Sequence, residues 1–446
     1  MNTENSPFEK INNLIKNSVT LKLITITILM LLLLIPASMI QSLIQEREKL
    51  KESTTAEVSS KWAEAQQING PILTVPLIYE YEEGDKKIAV TKYWQILPGQ
   101  LSIDGKVLPE KLKRGIYEVV VYRSNLDISG DFKIEGSPDP QNLREIQYDR
   151  AFLTIGISDL RGIKNQIGLR WEGENLPVRP GSKLGELIYS GITIDLPDLS
   201  NSLTKTIPFD FSMDLQGSKT LSFIPLGATT NVSLRSPWQS PSFNGNFLPD
   251  ARHLDEKGFT ASWSVLQLNR NFAQSWVGSG NKQHLQESAF GVDLILPLDD
   301  YQKSFRSAKY AVMTIALTFL IFFLVEILGK RKIHPFQYAL VGLALCLFYT
   351  LLVSISEHAD FNIAYLVSTA AIVAMIGLYS ISVFKKMKRS LLLLTVLFGI
   401  YGFMFVTLQL SDYALLMGSL GLTIILGLTM YFTRNVNWYT LQIGTE

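Results

Sequence analysis

The chain has 446 residues, 47% of them hydrophobic, which is enough for a membrane bundle and one or two soluble units. Its net charge of +1 hides a division, because residues 43–308 hold 29 Lys/Arg and 33 Asp/Glu, whereas the rest of the chain holds 12 and 7. No segment has the dense basic patch of a nucleic-acid-binding protein, and the single cysteine, Cys346, excludes disulfides and a cysteine-ligated metal site in 43–308.

The first 69 residues are predicted to form a tail, a membrane span and a stalk. Residues 1–19 are predicted as a cytoplasmic tail and 20–42 as a retained signal anchor, since the apolar run is long for a signal peptide and offers no small-x-small cleavage site. Residues 43–69 contain no proline or glycine and are predicted as a helical stalk, which Gly70-Pro71 would end. Trp62 and Gln66, near the end of this stalk, are interpreted as packing it onto a sheet, with ligand binding as the alternative.

Residues 70–307 are predicted as a β-rich, sandwich-like periplasmic domain. Apolar and polar residues alternate over 126–134, 207–215 and 259–265, which is typical of half-buried strands. Residues 216–218 are predicted as a hairpin turn, 138–140 as a boundary between two lobes, and 141–149 as the one helical stretch in that region.

Six apolar stretches are long enough to cross a bilayer as helices, one N-terminal and five in a C-terminal bundle over 308–432. They are residues 20–40, 308–328, 338–354, 363–384, 391–410 and 413–432. A cytoplasmic tail, residues 433–446, follows the bundle. The predicted fold class is therefore a six-helix α-helical membrane protein with a large β-rich domain.

The charges of the short loops predict the orientation. One side carries the basic residues Lys10, Lys16, Lys22, Lys330, Arg331, Lys332, Lys385, Lys386, Lys388, Arg389 and Arg434. The two loops on the other side have no lysine or arginine and carry Glu357, Asp360 and Asp412. We therefore expect both termini in the cytoplasm and residues 43–307 in the periplasm.

The sequence contains no Walker loop, His-Glu-x-x-His helix, Gly-x-Ser-x-Gly elbow or dinucleotide fingerprint. Ser279 and Lys282 have the spacing of a Ser/Lys hydrolase, but the glycines around them favour a flexible connection between strands over a catalytic helix. A cell-wall hydrolase is thus the weakest of the functional alternatives, and no cofactor or metal is predicted.

Two groups of polar residues in the bundle are candidate functional sites. Glu357, His358, Asp360 and Asp412 lie on the two outer loops, where they would bind a cation or relay protons, or simply solvate the loop ends. Glu326 is the one carboxylate well inside a predicted span; it favours a transport role, or local pairing with Lys330 four residues on. A transporter or lipid-handling protein with an ion or proton site near the outer face of the bundle is therefore the second functional hypothesis.

Six stretches of the sequence form a distinctive set, namely Lys61-Trp62-x3-Gln66, Pro241-Ser242-Phe243-x-Gly245, Tyr301-Gln302 with Arg306, His334-Pro335-x-Gln337-Tyr338, Ser356-Glu357-His358-x2-Phe361 and Thr433-Arg434-Asn435-x2-Trp438. Together they resemble the CreD family of bacterial inner-membrane proteins associated with cell envelope integrity. The resemblance extends over residues 20–440, and its topology is the one derived above.

What the resemblance implies is a target of a two-component regulatory system that affects envelope integrity and stress tolerance, without an established catalytic activity or ligand. It also makes His334, Gln337, Tyr338, Glu357 and His358 the family's expected working positions, with no role assigned to them. The leading hypothesis is therefore a non-enzymatic membrane protein whose partners are the lipid bilayer and an envelope protein, cell-wall or lipid component, with no nucleic acid.

Overall fold

The computed structural model describes residues 19–83, 85–296, 300–328, 333–410 and 413–434. The chain divides into two compact units. The first, called the membrane unit, contains Met1–Lys51 and Leu298–Glu446, and the second, called the β unit, contains Glu52–Pro297.

Helices account for the membrane unit because its apolar runs must satisfy their own backbone hydrogen bonds. The helices of the described residues are α1 Val19–Trp62, α2 Lys282–Glu287, α3 Asp300–Lys309, α4 Ala311–Leu328, α5 Pro335–Ser356, α6 Phe361–Phe384, α7 Met387–Gln409 and α8 Ala414–Thr433. Each of the six predicted spans coincides with one or two of them. Helix α2 lies in the β unit, as does the end of α1 from Glu52 onward.

The helices differ in how fully they meet the length of a bilayer. Within the described residues, α1, α5, α6 and α7 are long and apolar enough to cross one. A fifth span results if α3 and α4, which are bent by 43° relative to each other, are taken together, and the sixth predicted stretch holds a shorter apolar helix, Leu416–Tyr431.

The β unit consists of two sheets. Its strands are β1 Gln66–Glu83, β2 Lys86–Ile96, β3 Gln100–Arg114, β4 Tyr117–Lys133, β5 Leu143–Ile146, β6 Phe152–Ile157, β7 Gly168–Trp171, β8 Glu174–Pro177, β9 Arg179–Pro180, β10 Gly191–Asp195, β11 Thr206–Ser218, β12 Thr220–Phe223, β13 Thr229–Ser236, β14 Pro241–Gly245, β15 Ala251–Asp255, β16 Gly258–Leu266, β17 Ser275–Val277 and β18 Phe290–Leu294. The first sheet has ten strands along the path β14-β18-β12-β1-β6-β10-β9, with β2, β5 and β17 beside it, and the second has the order β15-β16-β13-β3-β4-β11-β7-β8.

One hydrophobic core serves both sheets. Alternate residues of β4, β11 and β16 are buried, as the period of two in the sequence predicts, and they join buried residues of β1 and β6 in a single cluster. Residues 138–140, predicted as a boundary between two lobes, do not divide this core, and Glu52–Pro297 form one compact unit.

Three local predictions fail because tertiary pairing overrides local signals. The stalk helix ends at Trp62, and Gln66–Ile68 already pair in parallel with Leu221–Phe223, so Gly70-Pro71 lies inside β1. The helix predicted over 141–149 is wrong: residues 143–146 form the strand β5, and a short 3-10 turn follows at 148–150. Residues 216–218 are the end of β11, and the chain crosses to the first sheet through Lys219, whose φ is +61°.

Candidate functional site

A buried ion pair joins the N-terminal helix to the bundle. Lys22, in the first turn of α1, is 4% exposed, and Glu326, in the last turn of α4, is fully buried. The Lys22 ammonium donates to Glu326 Oε1 and, over 2.9 Å, to the carbonyl of Ile333. Each charge is thereby compensated inside a region that disfavours isolated charges.

Two further donors complete the coordination of the carboxylate. The backbone N–H of Ile333 donates to Glu326 Oε1 over 2.8 Å, and the hydroxyl of Tyr338 donates to Oε2 over 2.9 Å. Lys22, Glu326, Ile333 and Tyr338 are called the buried polar cluster. Because all four are buried and the two charged groups share the Ile333 peptide, the cluster is a fixed junction between α1, α4 and the start of α5.

Aromatic and aliphatic side chains isolate this junction. The rings of Phe319 and Phe322 lie 5.5 and 5.9 Å from that of Tyr338, and Val19 packs with Phe323 and Ile327 in a small hydrophobic cluster. Low local polarity strengthens a satisfied ion pair and raises the cost of breaking it.

The His334-Pro335-x-Gln337-Tyr338 motif builds the end of α5 that faces Glu326. His334 is the N-cap: its Nδ1 accepts the N–H of Phe336 over 3.2 Å, while Gln337 Oε1 accepts the N–H of His334 over 3.0 Å. Pro335 suits the first helical position, since its missing N–H would have no partner there. The start of α5 is thus set where Tyr338 and the partial positive charge of the helix N-terminus meet the carboxylate.

The sequence suggested Lys330 as a local partner of Glu326. Lys330 lies outside the described residues, and the ion pair is made by Lys22, 304 positions away. The sequence singled out Lys22 only as a charge that sets orientation, and Ile333 was missed. No local spacing signals a contact of that separation.

A close approach of α1 and α5 accompanies the cluster. A Cβ added to Gly342 would lie 2.1 Å from Leu33 Cδ1 and 3.0 Å from the Phe319 ring. The small residue lets the two helices approach, as is common between membrane helices.

The outer-loop candidates are not gathered into one site. Glu357 accepts a 3.3 Å hydrogen bond from the Tyr301 hydroxyl and lies 3.6 Å from Arg47 Nε, so it engages α1 and α3. His358 and Asp360 are exposed, and Asp412 lies outside the described residues. Among the residues that are described, no group of three or more histidine, cysteine, aspartate or glutamate side chains is placed to hold a metal ion.

Gln66 lies at the centre of a buried junction in the β unit. Its Nε2 donates to the carbonyls of Asp159 and Gln216, each over 2.9 Å, and its Oε1 accepts the N–H of Asp159 over 3.2 Å. Gly162 and Gly217 leave the necessary room, since a Cβ there would lie 2.4 and 2.8 Å from Gln66 atoms. This set of contacts, called the Gln66 junction, fixes the start of β1.

Asp159 connects the Gln66 junction to the end of α1. It accepts the N–H of Glu64 over 2.9 Å, and Arg161, bound to the same carboxylate at 2.7 Å, also donates to the carbonyl of Ser60. The hydrogen bonds from the Arg161 side chain, helped by the backbone N–H donors, lower the pKa of Asp159 to about 2. This charge-assisted contact holds residues 60–64 to the loop after β6.

Trp62 and the Ser279–Lys282 pair make contacts that belong to packing and to a turn. The guanidinium of Arg123 lies 5.6 Å from the Trp62 ring, and Trp62 lines a cavity of about 190 Å³ with Glu57, Val58, Lys61, Leu112 and Arg114. The N–H of Lys282 donates to the carbonyl of Ser279 over 3.3 Å in the turn that begins α2.

Comparison with known proteins places the chain in a family. The family model described as Inner membrane protein CreD matches residues 18–439. The Inner membrane protein CreD of Escherichia coli (strain K12) is 33% identical over 419 residues, which cover 93% of this chain and 92% of that relative. These matches confirm the resemblance seen in the sequence, and the match to the family model includes both the buried polar cluster and the Gln66 junction. The chain belongs to the CreD family of inner membrane proteins.

Proposed function

We propose that the protein is a non-enzymatic inner-membrane protein that supports envelope integrity and stress tolerance, and that its β unit contacts an envelope component or a protein partner. The observation that carries the proposal is the hydrogen bonding of Glu326. The carboxylate that the sequence places inside a span is coordinated by Lys22, Ile333 and Tyr338, all from the chain itself. Such a group serves to join helices, and both of its oxygens already accept hydrogen bonds from the chain itself.

The continuity of α1 supports a role for the bundle as a carrier of the β unit. This helix runs without interruption from Val19 to Trp62, with residues up to Lys51 in the membrane unit and the remainder in the β unit. The buried polar cluster therefore anchors, at one end, the same helix whose other end Arg161 and Asp159 hold. In this proposal the bundle presents the β unit on the periplasmic side, as the loop charges predict.

Deletion of residues 70–296, with all membrane helices retained, tests the proposal. In a strain lacking the protein, the truncated chain is expected to give no recovery of tolerance to envelope stress, because the contacting unit is missing. The full chain carrying Lys133→Ala, a change at an exposed residue paired with Glu135, is the control and should restore tolerance. Both forms are compared at equal membrane abundance. Full recovery by the helices alone would refute the proposal.

A further inference from the structure

The exposed face of the second sheet carries a cavity of about 280 Å³ beside the end of β13 and the turn between β15 and β16. Its lining comes from β3, β13, β15 and β16 and from the turn between the last two. The lining includes Lys106, Arg235, His253, Lys257, Phe259 and Thr260.

Strand register places three basic side chains and a hydroxyl in one row across this face. Arg235 of β13 is directly opposite Lys106 of β3 and Thr260 of β16, and Thr260 is directly opposite His253 of β15. Residues paired in this way project to the same side of a sheet, and all four are exposed. The row therefore presents N–H and O–H donors from four adjacent strands.

The charges around the cavity are predominantly positive. Arg235 is 2.9 Å from Asp104, and His253 is 3.6 Å from Asp255. Lys106 and Lys257 make no ion pair with any of the described residues. One oxygen of Asp255 is also occupied by the backbone N–H of Lys257 over 2.8 Å. Two ammonium groups thus remain available beside a guanidinium.

The floor and rim of the cavity are fixed by the fold. Phe259 is buried beneath it, and Gly258 has a φ of +128° in the turn that brings Lys257 to the rim. A Cβ at Gly258 would lie 2.0 Å from the carbonyl of Ser236, so the turn packs tightly against the end of β13. The backbone that carries the donor side chains is therefore in place before an anion binds, which lowers the cost of ordering the site.

We propose that this cavity binds a phosphate group, either free or on a lipid headgroup. A guanidinium, two ammonium groups and the Thr260 hydroxyl offer more donors than the two oxygens of a carboxylate can use, whereas a phosphate has three or four acceptor oxygens. The inference rests on the proposed function, because it names the chemistry by which the β unit contacts the envelope.

Binding measurements on the full chain in phosphatidylcholine nanodiscs test the site. The probes are inorganic phosphate, followed by equilibrium dialysis, and vesicles of phosphatidylcholine with or without phosphatidylglycerol, followed by flotation. Lys106→Ala and Arg235→Ala are each expected to weaken binding by about tenfold or more, as loss of a charge-assisted hydrogen bond does. Lys133→Ala, on the same sheet but outside the cavity, should stay within about twofold.

The two probes distinguish the sources of the phosphate. Site-dependent binding of inorganic phosphate supports a free phosphate ligand, and site-dependent binding only to vesicles with phosphatidylglycerol supports a headgroup. If Arg235→Ala does not fold, Arg235→Lys, which keeps the charge but not the planar fork, should bind with intermediate strength.

The proposal is overturned if the wild-type chain binds neither probe, or if the cavity variants bind as the wild type does. Either result would remove the phosphate assignment alone, because the deletion of residues 70–296 tests the proposed function through stress tolerance and not through phosphate.

Discussion

Lys22 and Glu326 place two opposite charges where neither is exposed to solvent by more than a few per cent. Removing a charge from water costs several kcal/mol, and the cost is recovered only when the partner and the surrounding hydrogen bonds are well placed. Ile333 and Tyr338 supply those bonds to the carboxylate. The energetic consequence is asymmetric: losing one partner is costly, whereas replacing both by apolar groups need not be.

This asymmetry predicts the outcome of a double-mutant cycle. Glu326→Leu is expected to lower the free energy of unfolding by about 3 kcal/mol, because Lys22 loses its counter-charge in a buried position. Lys22→Met should cost a similar amount, and the double variant Lys22→Met with Glu326→Leu should cost about as much as either substitution alone, which is a coupling energy of about 3 kcal/mol. Unfolding of the detergent-purified chain, followed by circular dichroism, measures all four proteins.

The Lys61–Glu57 pair is the matched control. It is a lysine–glutamate contact of 2.6 Å between side chains that are 71% and 47% exposed. A cycle there should give a coupling of less than about 0.5 kcal/mol. Additive effects of the Lys22 and Glu326 substitutions would show that the buried contact does not stabilise the fold.

Only part of this cluster could be predicted from the sequence. Glu326 was recognisable because a carboxylate stands out in an apolar run, and His334, Gln337 and Tyr338 because they recur in a family motif. Lys22 and Ile333 carried no comparable signal, since the charge of one looked like an ordinary flank of a span and the other contributes only its backbone. Long-range pairing depends on the packing of α1 on α4, which no local pattern encodes.

Secondary-structure elements were likewise predictable where the local sequence carries a signal and not where they depend on long-range pairing. Strands β4, β11 and β16 were predictable because one face is buried and the other is not, which gives an alternating sequence. Strand β1 is mostly buried and begins three residues after a helix, so its first residues continue the composition of the stalk. Strand β5 has four residues, two of them charged, and it forms because it pairs with residues 77–79 of β1.

The end of α1 and the start of β1 depend on one ionised carboxylate. Arg161 and two backbone N–H groups hold the pKa of Asp159 at about 2, below its ordinary value of 3.8. A carboxyl group whose pKa is lowered by folding stabilises the native state above its unfolded pKa, and that contribution disappears as the pH falls through the folded pKa. The window for Asp159 is therefore from about pH 4 down to about pH 2.

Asp159→Asn is expected to destabilise the chain in a pH-dependent manner. At pH 7 the loss should be about 2 kcal/mol, which corresponds to the lowering of the pKa of a side chain that is only 10% exposed. The difference from the wild type should shrink steadily from pH 4 to pH 2. Denaturant unfolding of the β unit within the full chain, followed by its strand signal in circular dichroism, gives both values.

Asp210→Asn is the control for this element, since Asp210 also binds an arginine, Arg170, at 2.5 Å but is exposed. It should cost less than about 1 kcal/mol at pH 7. A loss for Asp159→Asn that stays constant down to pH 2 would contradict the assigned role of the Asp159 charge.

At the scale of the whole molecule, basic and acidic residues are separated along the chain. The region 43–308 has more acidic than basic residues, and the short segments around the spans carry the positive excess. Short basic loops are retained on the cytoplasmic side during insertion, whereas long domains are translocated largely regardless of their charge. In the predicted orientation, Lys303, Arg306 and Lys309 would end a long translocated region, where the charge rule has little force.

Reporter fusions test this orientation directly. Alkaline phosphatase, which is active only outside the cytoplasm, is expected to be active when fused at residue 180 or 359. It should be inactive when fused at 331, 387 or 440, because these positions lie in the two basic loops and the C-terminal tail. A fluorescent protein that matures only in the cytoplasm should give the opposite pattern at each position, which controls for differences in expression. Substituting Lys385, Lys386, Lys388 and Arg389 by glutamine should weaken the contrast between 359 and 387, since that loop would lose all its positive charge. Phosphatase activity at 331 together with fluorescence at 180 would reverse the assignment of sides, and the β unit would then have to find its partner in the cytoplasm.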